Sequence, residues 1–283
     1  IYMRFTLYIL IAALLLAAAS GYRLYQSHSP LGAKLASIVA PGASQVVECT
    51  ALVKQQPLVL LVLGQSNAGN HGTLVQTGDE PVAMLAGNTC VLANDPLPGA
   101  TGTGGSIWRH LPALLSPQLA GRKVLLSIVA VDATTIDDWT LPDRPLAKRL
   151  ARQLNALQQL GLQADFVLWQ QGEADARINT STDAYLNGLG RLAAALAQGG
   201  SRVPALLARS TVCRSPPNAN IRLAVENATS SVNARFAPGP DTDLLVGEGF
   251  RRDGCHFNDR GLKEAARAWV TMLQQAMSST VKP

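Results

Sequence analysis

Leu58-Val59-Leu60-Leu61-Val62-Leu63 is an unbroken apolar run that ends abruptly at Gly64-Gln65-Ser66-Asn67-Ala68-Gly69-Asn70. A strand with no polar face has to be covered on both sides, which is the pattern of a buried parallel strand. This run commits the chain to an α/β architecture more firmly than any other feature. It also delivers a serine, flanked by small polar residues, to the carboxyl edge of the sheet, where such sheets bind their ligands.

The rest of the chain keeps the same grammar. Strands are predicted at 58–63, 89–93, 124–131, 166–169 and 204–210, and helices at 106–115, 144–160, 182–198, 218–236 and 259–277. Ser181-Thr182-Asp183 gives the third helix its N-cap chemistry. In the last helix Leu262, Ala265, Ala266, Trp269 and Val270 make a stripe at helical spacing. Alternation of strands and helices predicts a three-layer α/β/α sandwich around a flavodoxin-like five-stranded parallel sheet of order 2-1-3-4-5. Ser66 then lies just past the first strand, beside the switch point.

The N-terminus has export character. Met3-Arg4 precedes an apolar stretch from Phe5 to Ala19, closed by Ser20-Gly21-Tyr22-Arg23. One positive charge and the small residues Ala17-Ala18-Ala19 have the form of a secretory signal with its cleavage site. The span is also near the length of a membrane anchor, so attachment through residues 3–22 stays open beside cleavage. Either reading places the domain outside the cytoplasm: periplasmic, secreted or anchored. The predicted organisation is a signal or anchor at 1–22, a linker at 23–56 with a short helix near 31–39, and one domain at 57–283.

Cys49, Cys90, Cys213 and Cys255 form an even set without CxxC spacing, which disfavours zinc and thioredoxin chemistry and agrees with export. The favoured pairing is Cys213 with Cys255, because each is expected near the carboxyl end of a late strand, and Cys49 with Cys90 then follows; four free buried thiols are the alternative. The net charge of +5 is spread along the chain without a basic run, and aromatics are only 5%. Nucleic acid is therefore not a predicted partner.

Four blocks carry the polar residues that could do chemistry: Gly64-Gln65-Ser66-Asn67, Thr101-Gly102-Thr103-Gly104-Gly105-Ser106, Gln170-Gln171-Gly172-Glu173-Ala174-Asp175 and Asp253-Gly254-Cys255-His256. Acyl transfer needs a nucleophile, a base, a group that orients the base, and donors for the oxyanion. Ser66 can be the nucleophile and His256 its base. Asp253, three residues earlier, can accept from the other imidazole nitrogen. The oxyanion donors are predicted to be the Ser66 and Gly105 backbone N–H groups and the Gln171 side-chain amide, with Gly104 the alternative glycine. Asn67 is a weak substrate-binding candidate. His71 competes as base by proximity, but Asp253 favours His256. Glu173 and Asp175 read as structural, and Trp108, Trp139 and Trp169 as core rather than sugar platforms.

Taken together, the four blocks resemble the SGNH hydrolase superfamily, and within it the sialate O-acetylesterase and acetylxylan esterase branch. That branch typically carries Gly-Gln-Ser-Asn first and Gln-Gly-Glu third, and the resemblance runs from about Val59 to Ala268. It implies a serine esterase acting on O-acetylated carbohydrate, with no cofactor and no metal. One block departs: the branch often has Gly-Gly-Thr-Ser after the third strand, where this chain has Asp132-Ala133-Thr134-Thr135. That loop bears on specificity rather than on the triad. Alternatives are a lipase, thioesterase or acyltransferase on the same machinery, or a glycan-binding module that keeps the fold without catalysis.

Overall fold

The structure, a computed structural model, describes residues 30–73, 80–230 and 235–280. The signal or anchor expected at 1–22 lies outside the described residues. Among the described residues no helix is long and apolar enough to cross a membrane. The chain divides into two units, ending and beginning at Ile38 and Val39. The first contains one described helix, α1 (Pro30–Ala36).

The second unit is built on one mixed, mostly parallel sheet. Its strands are β1 (Gln45–Val46), β2 (Leu58–Gly64), β3 (Val82–Ala86), β4 (Thr89–Ala93), β5 (Val124–Ala130), β6 (Phe166–Gln170), β7 (Ala205–Arg209) and β8 (Phe236–Asp241). Their spatial order is β1-β4-β3-β5-β2-β6-β7-β8. The helices are α2 (Cys49–Val53), α3 (Leu111–Leu115), α4 (Ile136–Thr140), α5 (Pro145–Gln159), α6 (Glu173–Arg177), α7 (Thr182–Gln198), α8 (Ala219–Thr229) and α9 (Asp259–Thr280).

The α/β class holds, and two parts of the predicted sheet are corrected. The five adjacent parallel strands β5-β2-β6-β7-β8 do run 2-1-3-4-5 in chain order. They are not the five strands predicted. Thr89–Ala93 is the antiparallel arm of a hairpin with β3, closed by Gly87-Asn88 and added at the edge beyond β5. The fifth parallel strand is β8, where the sequence pattern extended a helix to Phe236. Its Phe-Ala-Pro-Gly-Pro-Asp sequence hides a strand, because proline removes ladder donors; β8 pairs only with β7, and an edge tolerates this.

The predicted linker is also corrected. β1 pairs with β4, and the disulfide Cys49–Cys90 fastens α2 to the hairpin, so 39–56 belongs to the domain. Cys213–Cys255 is the second disulfide. Both pairings are those read from the sequence, and two disulfides fit an oxidising compartment outside the cytoplasm.

Period-two alternation decides which helix covers which face. Leu58, Leu60 and Val62 of β2 pack with Trp108, Leu111, Leu262, Ala265 and Trp269 from the α3 and α9 side. Val59 points the other way, towards Ala156 and Leu157 of α5. The stripe seen in the sequence of α9 is its buried face. Trp269 also donates through Nε1 to Gln170 Oε1 (2.9 Å), which ties α9 to the end of β6.

Candidate active site

β2 and β6 lie side by side, and the chain leaves them towards opposite ends of the sheet, so the crevice opens above their carboxyl ends. Gly64 ends β2 with φ 153°, and a Cβ there would stand 2.1 Å from Gln170 O. Only glycine lets β2 close against β6 while turning into the next block. Ser66 then opens a single 3-10 turn, Ser66–Ala68. Its N–H has no acceptor among the described residues, as befits the first residue of a helical turn.

The second half of the site is the loop before α9. Asp253 Oδ2 lies 2.8 Å from His256 Nδ1, while Oδ1 accepts from the backbone N–H groups of His256 (2.7 Å) and Cys255 (2.9 Å). Burial pushes the Asp253 carboxyl up, but these bonds and the neighbouring imidazole outweigh it and hold the group below the ordinary carboxylate range. Asp253 stays ionised, so Nδ1 carries the imidazole proton and Nε2 presents a lone pair. The Cys213–Cys255 disulfide and the Arg214 N–H to Gly254 O bond (2.8 Å) pin the loop to the segment after β7.

Sequence reasoning missed what holds the loop from below. Arg251 is almost fully buried, lies 4.5 Å from the Phe257 ring centroid, and donates to the carbonyls of Leu245, Val212, Thr242 and Cys255. Nothing in Phe250-Arg251-Arg252 distinguishes this arginine from its exposed neighbour. Asn67 joins the two halves: its Nδ2 donates to Glu173 Oε1 (2.7 Å) and to Cys255 O (3.2 Å). Both hydrogens of the Asn67 amide are thus engaged inside the protein, which removes the expected substrate contact through that group. Ser66 Oγ makes no hydrogen bond to His256 Nε2 in this structure, a contact that commonly tightens only with substrate present.

Two predicted oxyanion donors are corrected. The Gly105 N–H donates to Gly72 O (3.1 Å), and that of Gly104 donates to Asn70 O (2.7 Å). Gly102 is the glycine beside the site: its φ is 96°, and a Cβ would stand 2.4 Å from Asn70 O and 2.8 Å from His71 Cδ2. Its N–H has no acceptor among the described residues. Gln171 is wholly buried, and its two amide hydrogens are surrounded by Asp175 Oδ2 (2.6 Å), Thr134 O (2.9 Å) and Gln65 Oε1 (3.3 Å). Its Oε1 accepts from the Tyr185 hydroxyl (2.8 Å). Gln171 therefore buttresses the crevice floor and has no hydrogen left for a substrate.

His71 stacks on His256, with ring centroids 5.3 Å apart, and its Nε2 lies 3.1 Å from Thr101 Oγ1. Burial pulls its pKa down to about 4, so it is neutral at neutral pH. The carboxylate pairing falls on His256. Trp108, Trp139 and Trp169 are fully buried and belong to the core. Among the described residues no group of three or more His, Cys, Asp or Glu is arranged to hold a metal ion.

A mostly parallel sheet between helix layers, with a serine turn after its central strand and an Asp-His loop before its last helix, is the SGNH hydrolase fold. The chain belongs to the carbohydrate esterase family described as sialic acid-specific acetylesterase, whose profile matches residues 56–267. Among solved structures it is similar to a protein from Arabidopsis thaliana, with TM-score 0.61 and 18% identity over 79% of this chain and 98% of that one. It is also similar to NanS, with TM-score 0.52 and 15% identity over 78% and 97%. No curated protein matches the sequence.

Proposed function

We propose that this chain is a serine esterase that hydrolyses O-acetyl esters on carbohydrates through an acyl-enzyme. Ser66 Oγ attacks the ester carbonyl while His256 Nε2 takes its proton. Asp253 holds the imidazole in the Nδ1–H tautomer and stabilises the imidazolium that forms. The tetrahedral oxyanion is met by the Ser66 and Gly102 N–H groups, which replace the Gly105 and Gln171 donors expected from the sequence. Collapse expels the sugar alcohol, protonated by His256. Water activated by His256 then releases acetate and frees the serine.

The observation that carries this reading is the Asp253–His256 pair at 2.8 Å, whose loop is tied at Cys255 O to Asn67, the residue after Ser66. Membership of the acetylesterase family supports O-acetylated, sialic acid-type sugars as the substrate class. The test is acetate release from 4-nitrophenyl acetate and a panel of O-acetylated glycans, wild type beside Ser66→Ala. Serine-dependent release is expected. Release by Ser66→Ala at the wild-type rate would overturn the assignment of the nucleophile.

A further inference from the structure

One buried carboxylate reaches both halves of the candidate site. Glu173 opens α6, is 3% exposed, and accepts through Oε1 from Asn67 Nδ2 (2.7 Å) and Ser210 Oγ (2.8 Å). The same Asn67 amide donates to Cys255 O (3.2 Å). Asn67 follows Ser66, and Cys255 precedes His256, so this one amide spans the backbone next to each reacting side chain. An asparagine amide has two hydrogens. Glu173 takes one and thereby aims the other at Cys255. Arg251, held by three further carbonyls, donates to Cys255 O from its own side. The Cys255 carbonyl is thus fixed by a rigid cation and by a link that runs back to the serine turn.

The second oxygen of Glu173, Oε2, is buried with no hydrogen-bond partner among the described residues. Burying a carboxylate there costs free energy that a neutral side chain would not. Packing alone does not account for this residue, whereas its Oε1, which accepts from Asn67 Nδ2 at 2.7 Å whether or not the carboxyl is ionised, does.

We propose that Glu173 is a positioning residue for the esterase reaction: acting through Asn67, it sets the spacing between the Ser66 turn and the His256 loop. This rests on the reading of Ser66 and His256 given above. Spacing is what the site lacks, since Asp253 already fixes the tautomer of His256 and Ser66 is not yet bonded to it.

The experiment measures kcat and KM on an O-acetyl ester for wild type, Glu173→Ala, Glu173→Gln, Asn67→Ala and the Asn67→Ala/Glu173→Ala double variant. A fluorophosphonate that labels active serines is used alongside. Each single alanine variant is expected to lower kcat about 10²-fold, the loss typical of a misplaced reacting group, with KM little changed. The double variant is expected to be no slower than the worse single one, because both act through one link. Glu173→Gln should recover most of the loss, since its Oε1 accepts from the same two donors. A wild-type kcat in Glu173→Ala, or losses that multiply in the double variant, would overturn the inference. Should Glu173→Ala fail to fold, Asn67→Asp replaces the donor with an acceptor facing Glu173 and Cys255 O; an undiminished rate there would overturn it equally. Wild type that resists labelling at Ser66 defeats the esterase reading itself. Labelling of Glu173→Ala as fast as wild type defeats only the inference.

Discussion

Replacing Glu173 by glutamine should change how stability depends on pH, by an amount the structure sets. Burial is the main cause that pushes the Glu173 carboxyl from 4.5 up to about 7, against the hydrogen bonds from Asn67 and Ser210 that lower it. The folded protein then holds a proton that the unfolded chain gives up. The stability this group contributes is full below the unfolded value and is lost as pH rises through the folded one. The whole window is worth about 3 kcal/mol, at 1.36 kcal/mol for each pH unit of separation. Between pH 5 and pH 8 most of that window is lost, roughly 2–3 kcal/mol from this one group. Glutamine cannot titrate, so Glu173→Gln should not suffer it. Any fixed penalty from its extra N–H groups is the same at both pH values and cancels. Urea unfolding of both proteins at pH 5 and pH 8 measures the effect, with disulfides intact and two-state behaviour checked. Asp95, Asp175, His71 and Asp253 also shift, but they are common to both proteins and drop out of the comparison. Glu173→Gln should gain on wild type by roughly 2–3 kcal/mol from the lower to the higher pH. Parallel stabilities at the two values would refute the argument and mean that the carboxylate is compensated in its ionised form, with the Arg251 guanidinium the cation that acts on it.

Three further outcomes are expected. Asp253→Asn should keep the fold but lower turnover by on the order of 10³- to 10⁴-fold, by releasing the Nδ1–H tautomer; an unchanged rate would mean another group orients His256. Replacing Cys213 and Cys255 together by alanine opens a cross-link of sequence separation 42. By chain entropy this costs about 4 kcal/mol, read from the denaturant midpoint, and a midpoint equal to wild type would show that Arg251 alone holds the loop. Gln171→Ala strands the Asp175 and Tyr185 partners of a buried amide and should destabilise the fold by about 1–3 kcal/mol. Intact stability with a collapsed rate would return this amide to the oxyanion site.

Much of this molecule was legible in the sequence where a signal was local. The apolar run of β2, the N-cap of α7 and the stripe of α9 each follow a period that side-chain direction imposes. The Asp253–His256 pair was legible because both members lie on four consecutive residues. Other features depend on partners distant in the chain. Gly105 and Gly102 are equivalent as text; only the return of Gly72 beside Gly105 decides whose N–H is taken. Gln171 reads as a free amide until Asp175, Thr134 and Gln65 converge on it. The hairpin is a different case: Gly87-Asn88 between apolar runs is a turn signal, but nothing in Thr89-Cys90-Val91-Leu92-Ala93 separates an antiparallel edge strand from a parallel one. β8 was hidden by its two prolines, which propensity alone assigns to a loop.

Those prolines have a consequence beyond the strand. An open sheet ends in two rows of unsatisfied backbone groups, and exposed edges invite strands from other molecules. Here one border is β1, only two residues long, and the other is β8, interrupted at Pro238 and Pro240. Neither offers a run of donors and acceptors long enough to template a visiting strand. Among the described residues, the sheet is therefore guarded at both borders. The carboxyl edge can stay open to solvent without the sheet behind it becoming a seed for aggregation.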